Sequence, residues 1–228
     1  MTNVADVAKC GRIMVSDVEV RGALATMGLS AQELHQAIDA GEVDRDHCNE
    51  FNPPSDAEHR AHGTTTRVMR EIYVPKGWTP CDWGNFSTII SPDGSIEIAV
   101  ASGDSATGNP HYTPQTQWKK GERATLGIER NNQLFLFDYL SLATDRNRHS
   151  AGTTWFLLRY RTEREVQCEL SIPTESVADK PEDLKKRVFF GGTRIILPIL
   201  DIGPRGGIRP RDEDEPSRID VAVKRRQA

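Results

Sequence analysis

Val166-Gln167-Cys168-Glu169-Leu170-Ser171-Ile172 alternates apolar and polar residues without a break. A period of two puts Val166, Cys168, Leu170 and Ile172 on one face of a strand, with the polar residues on the other. The segment is therefore expected to be a half-buried β-strand with its inner face declared. Just upstream, Thr154-Trp155-Phe156-Leu157-Leu158-Arg159-Tyr160 reads as a second strand, and Thr162 to Arg164 turn the hairpin between them. Arg194 to Ile199 supplies a third strand and Arg218 to Val223 a fourth. The last third of the chain is thus expected to be mainly antiparallel β. Asp212-Glu213-Asp214-Glu215-Pro216 reads as a solvated acidic loop, and Lys224-Arg225-Arg226 closes the chain in positive charge.

Toward the N-terminus the period changes. Ser16 with Glu19, Ser30 with Glu33 and Ser55 with Glu58 each have the spacing at which a hydroxyl and a carboxylate satisfy backbone donors at a helix start. Val20, Leu24 and Met27 share one helical face, and Leu34, Ala37 and Ile38 share the next. Gly28 is placed to end the first helix in a left-handed conformation. The third helix is expected to run from Ser55 toward Ile72, weakened by Gly63. Phe86 to Ile90 and Ser95 to Ala101 are β-prone runs joined by Ser91-Pro92-Asp93-Gly94, which is turn chemistry. A loop rich in glycine and proline follows from Ser102 to Gly121, then a short helix over Glu122 to Asn132. The expected fold is α+β: a helical N-terminal part with a small β-hairpin middle, followed by a mainly antiparallel β module. Residues 1–130 form the first module, 131–152 connect, and 153–228 form the second.

Composition narrows the class. The chain has 228 residues, 37% hydrophobic and 27% charged, which is a soluble globular composition with material for a core. A net charge of −4 argues against a generally basic nucleic-acid coat while leaving room for a local basic patch. No apolar run is long enough for a bilayer, and Met1 to Gly11 lacks the apolar core of a secretory signal, so no membrane partner is expected. Cys10, Cys48, Cys81 and Cys168 are scattered, which suggests reduced thiols in a cytoplasm and no zinc ribbon.

Gln133-Leu134-Phe135-Leu136-Phe137 matches the pattern Gln-Leu-x-Leu-Phe. It resembles the short peptides by which bacterial DNA polymerases, mismatch-repair proteins and some methyltransferases dock on the ring-shaped sliding clamp. The resemblance covers these five residues only, and this one is internal where many such peptides are terminal. It implies that Gln133 offers its amide to the rim of an apolar groove, and that Leu134, Leu136 and Phe137 fill the groove. Phe135 stands at a tolerant position. A few large anchors carry most of the energy in recognition of this kind. The competing reading of Leu134 to Leu140 is a buried strand or helix of the chain's own core.

Other candidates carry weaker signals. Trp118, Lys119, Lys120 and Arg123, with Tyr112 nearby, combine stacking and cationic groups suited to single-stranded nucleic acid. Lys185-Lys186-Arg187 and Arg205, Arg209 and Arg211 add further basic groups. The helices around Gly28 outline a helix-turn-helix that would present Gln32, His35 and Gln36 to DNA, but Glu33, Asp39, Glu42, Asp44 and Asp46 oppose phosphate contact. Gly103-Asp104-Ser105-Ala106-Thr107-Gly108 has the glycine spacing of a phosphate loop, yet Asn109-Pro110 replaces the required lysine and hydroxyl. Asp93, Glu97 and Asp104 could gather round a divalent ion, although Asp93 suits a turn, Glu97 alternates outward and Asp104 falls in a mobile loop. His59 and His62 share a helical face near His47 and Cys48 but fit no zinc spacing, so no metal or cofactor is expected.

The leading expectation is a non-enzymatic accessory protein of bacterial or mobile-element DNA metabolism, docked on the sliding clamp through Gln133, Leu134, Leu136 and Phe137. One alternative is a metal-dependent nuclease using the carboxylates between Asp93 and Asp104. Another is a protein–protein interaction module of a phage defence or counter-defence system.

Overall fold

Val166, Cys168, Leu170 and Ile172 are all buried in one core, as their alternation requires. They are seen in a computed structural model that describes residues 11–83, 85–121, 125, 131, 152–180, 183 and 185–203. The fold is α+β. Three helices lie in the N-terminal part: α1 (Asp17–Thr26), α2 (Ala31–Asp46) and α3 (Asp56–Tyr73). The strands are β1 (Ile13–Met14), β2 (Thr79–Trp83), β3 (Phe86–Ile90), β4 (Ile96–Ser102), β5 (Thr153–Arg161), β6 (Glu165–Ser171), β7 (Glu175–Val177), β8 (Arg187–Phe189), β9 (Arg194–Ile196) and β10 (Leu200–Asp201).

Local chemistry explains the helix ends, with one instructive exception. At α1 the expected capping box forms: the Ser16 hydroxyl donates to Glu19 at 2.8 Å and accepts from the Glu19 amide at 3.4 Å. Gly28 then takes a φ of 71°, left-handed as required. At α2 and α3 the serines stand at the helix start but make no side-chain cap bond. Their glutamates have been drawn elsewhere, Glu33 to Lys76 and Glu58 to Arg159 and Ser102. These are charge-assisted contacts across the fold, and Ser55 itself has helical backbone, with φ −88° and ψ −10°.

α2 and α3 pack closely at Gly41. A Cβ there would lie 2.2 Å from Thr65 Oγ1 and 2.6 Å from the carbonyl oxygen of Ala61. Only glycine permits this approach, and it sets α2 and α3 side by side over the sheet.

The main sheet runs β1-β9-β6-β5-β4-β3-β2, with β10 also paired to β6. β2, β3 and β4 form an antiparallel meander, so the expected hairpin has an additional outer strand. β4 and β5 are parallel, with Ile98 opposite Trp155, while β5 and β6 are antiparallel, with Leu157 opposite Leu170. Strands on either side of residues 131–152 are thus immediate neighbours in one sheet. The strand expected from Arg194 to Ile199 is split. β9 and β10 both run along β6, with Pro198 between them, because proline has no amide to donate to the ladder. The segment from Arg218 to Val223 lies outside the described residues. Of the helix expected over 122–132, Thr125 and Asn131 are described, and both have helical backbone.

Both faces of the sheet are covered. Ile96, Ile98, Val100, Trp155, Leu157, Cys168 and Leu170 pack against α1, α2 and α3. On the opposite face, Ala99, Ala101, Phe156 and Leu158 pack with Val188 and Phe190, beside the small β7–β8 sheet. Every residue of β4 is buried. Glu97 therefore does not face solvent, as its alternation suggested: it is buried and accepts a 2.8 Å hydrogen bond from Thr88. Alternation chose its face correctly but could not reveal that this face was also covered.

Gly41→Ala is expected to destabilise the protein by about 1–3 kcal/mol, since the added methyl has nowhere to go. Gly63→Ala in α3, where nothing lies within 4 Å, is expected to stabilise it by about 0.5–1 kcal/mol. Urea midpoints of the two variants should move in opposite directions.

Candidate functional site

The apolar rows on the helix-facing side of β4 and β5 end in polar residues. Counting by twos, Ile98 and Val100 lead to Ser102, and Trp155 and Leu157 lead to Arg159 and Arg161. These groups gather at the carboxyl ends of two parallel strands, a place where α/β sheets commonly assemble sites. The helices bring the complementary charge. On α2, Glu42 follows Gly41 and Ile38 on the face turned to the sheet; on α3, Glu58 lies one turn before Ala61 and His62.

Arg159, 2% exposed, bonds Glu42 at 2.8 Å through Nη1 and Glu58 at 2.6 Å through Nη2. Glu42, itself fully buried, also accepts from Arg161 at 2.9 Å. Arg161 pairs in turn with Asp46 at 2.7 Å, and Arg45 with Glu58 at 3.0 Å. The Ser102 hydroxyl donates to Glu58. Three carboxylates face three guanidinium groups, so this network is neutral within itself. Burial pushes the Glu58 carboxyl upward, but Arg159, Ser102 and Arg45 more than offset it and hold it below the usual carboxylate range.

Two more titratable groups border the network. Lys120 is fixed through its backbone, which exchanges hydrogen bonds of 2.7 and 2.9 Å with Lys186. Its side chain is half-buried, and burial together with the neighbouring Arg159 charge pushes its ammonium pKa down, Glu58 only partly compensating. His62 is also half-buried. Burial, then the charges of Lys120 and Arg159, push its pKa down to about 4, against the pull of Glu58. At neutral pH His62 is therefore an uncharged imidazole with one donor and one acceptor nitrogen.

The other sequence candidates fall as follows. Trp118 and Tyr112 are exposed, and Lys119 is held by Asp179 at 2.7 Å and Asp183 at 3.1 Å. Arg123 and the peptide Gln133, Leu134, Leu136 and Phe137 lie outside the described residues. Asp93 closes its turn by accepting from Ser91 and Ser95. Asp104 accepts from the amides of Ala106 and Gln115 within the turn that follows β4. Glu97 is buried under the sheet. Among the described residues no set of three histidine, cysteine or acidic side chains converges on a metal position, around Asp93, Glu97 and Asp104 or around His47, Cys48, His59 and His62. The glycine loop does bind an anion, but an internal one: the Gly108 amide donates to Glu169 at 2.8 Å. Gln32 and Gln36 are exposed, whereas His35 is half-buried against the carbonyl of Pro198. Glu42 and Asp46, which seemed to repel DNA, are the inward partners of Arg159 and Arg161.

The network itself was not foreseen. One signal was available: Arg159 and Arg161 share the parity of Trp155 and Leu157, and charges on a buried face require partners. The helix supplying those partners could not be read from spacing.

No helix among the described residues is long and apolar enough to cross a membrane. Comparison with known protein families, curated proteins and solved structures finds no match.

Glu42→Ala leaves Arg159 and Arg161 short of a buried counter-charge and is expected to cost about 3–5 kcal/mol, measured by urea unfolding. His62 makes stability depend on pH. Its pKa is lower in the folded chain than in the unfolded one, so its contribution is complete above about pH 6.5 and is lost as pH falls toward 4. His62→Gln should flatten the fall in urea midpoint between pH 6.5 and 4.5; an unchanged slope would remove this role.

Proposed function

We propose that this is a non-enzymatic accessory protein of bacterial or mobile-element DNA metabolism that docks on the replication sliding clamp. Gln133 supplies the amide at the groove rim, and Leu134, Leu136 and Phe137 are the apolar anchors. The single observation that carries this reading is the match of the five residues to the Gln-Leu-x-Leu-Phe pattern.

The ends of the segment that bears the peptide are consistent with presentation to a partner. Asn131 is fully buried, two residues before Gln133. Its amide nitrogen donates to the Thr154 carbonyl at 2.9 Å, and its oxygen accepts from the Thr154 amide at 2.8 Å. At the other end, Gly152 lies so close to the β3–β4 turn that a Cβ would come 2.3 Å from the Gly94 carbonyl oxygen. Asn131 and Gly152, the described residues on either side of 132–151, thus both stand at the start of β5. Docking would deliver the protein to the clamp or occlude the groove from other clamp partners. A contact with DNA would come from the exposed Trp118 and the neighbouring cations.

Simultaneous replacement of Gln133, Leu134 and Phe137 by alanine should weaken binding to purified bacterial clamp by at least tenfold in surface plasmon resonance. The circular dichroism spectrum and thermal midpoint should stay unchanged. Equal affinity for the wild type and a folded triple variant would sink the reading.

A further inference from the structure

A bulge beside β8 carries one indole to the surface. The chain from Gln115 to Lys120 runs antiparallel to β8, with Gln115 bridged to Phe189 and Lys120 to Lys186. Between these bridges Thr116 to Lys119 stand opposite Arg187 and Val188, so four residues face two. The surplus bends away at Gln117 and Trp118. A bulge re-aims the side chains on it. Thr116 is buried against Val188, whose amide donates to its hydroxyl at 3.2 Å. Strict alternation would place Trp118 on that same buried face, yet it is 59% exposed. The bend is held from both sides. The Gln117 amide donates to the Ser102 carbonyl at 2.9 Å, and the Gln117 carbonyl accepts from Arg187 Nη1 at 3.4 Å. Arg187 thereby sets its charge against the peptide that precedes Trp118.

We propose that Trp118, with Lys185, Lys186 and Arg187, binds single-stranded DNA: an unpaired base stacks on the indole, and the adjoining phosphates pair with the cations. Lys185 is exposed, and Lys186 is fixed beside Lys120 by backbone bonds of 2.7 and 2.9 Å. The nearby acids Asp179 and Asp183 hold Lys119, at 2.7 and 3.1 Å, and Glu175 stands opposite Phe189 at the far end of β7. Lys119 follows Trp118 directly but is tied to acids, so the cations that meet a strand are those of β8 and its approach. Single strands offer open base faces and phosphates together. An apolar protein partner would instead strip water from the cations, and a duplex keeps its base faces stacked inside. The choice of DNA over RNA rests on the clamp reading above; the stacking position does not.

The test is fluorescence anisotropy of a labelled short oligothymidylate titrated with the full chain over a range of salt, beside a duplex and an oligouridylate of equal length. The oligothymidylate should bind, and the duplex at least tenfold more weakly. Trp118→Ala, a change at an exposed side chain, should weaken strand binding at least fivefold with the salt dependence unchanged. The double variant Lys185→Gln, Lys186→Gln should also weaken it, and should reduce the slope of log affinity against log salt by about 1.4, at about 0.7 for each phosphate contact on a single strand. Alanine at Gln133, Leu134 and Phe137 should leave strand binding as in the wild type, so failure of clamp docking and failure of this site are separate results. No binding of the oligothymidylate, equal affinity for the duplex, or undiminished binding by folded Trp118→Ala would overturn the proposal. Tighter, Trp118-dependent binding of the oligouridylate would overturn it in favour of an RNA site.

Discussion

One guanidinium decides how the two layers of this protein meet. Arg159 sits on the helix-facing side of β5 and reaches Glu42 on α2 and Glu58 on α3 at once. Hydrophobic contact between helices and sheet is non-directional and would tolerate sliding. A buried forked cation with two carboxylates on two different helices does not, because any shift strands a charge in a medium that solvates it poorly. The net stabilisation from such a network is small against an apolar replacement, while breaking it costs several kcal/mol. Its effect here is to fix register. The close approach at Gly41 is its structural partner, since it brings the acidic residues of α2 and α3 over the same strand ends.

The opposite face repeats the device. Glu169 and Arg194 are both buried and pair at 2.6 Å, and Arg194 also donates to the carbonyls of Tyr112 and Asn109. The loop after β4 is thereby held at Gly108 through Glu169 and at Asn109 and Tyr112 through Arg194. Its glycines serve close packing: a Cβ on Gly103 would lie 2.0 Å from Thr107 Oγ1. A loop with phosphate-loop spacing has become the lid of an internal ion pair.

The sequence by itself determined the local elements. Alternation from Val166 to Ile172 named a strand and its buried face, Gly28 ended α1, and Pro92-Asp93-Gly94 turned the hairpin between β3 and β4. These follow from backbone sterics and from periods of two and 3.6, which act over a few residues. The resemblance at Gln133 to Phe137 was equally local. Only the tertiary structure decided which polar residues are interior. Glu97 became buried because a second layer covers its face, and Glu42 and Glu58 became partners of Arg159 because α2 and α3 cross the end of β5. Each outcome rests on contacts between residues far apart in the chain, and a buried charge reveals its role only when its counter-charge is in place.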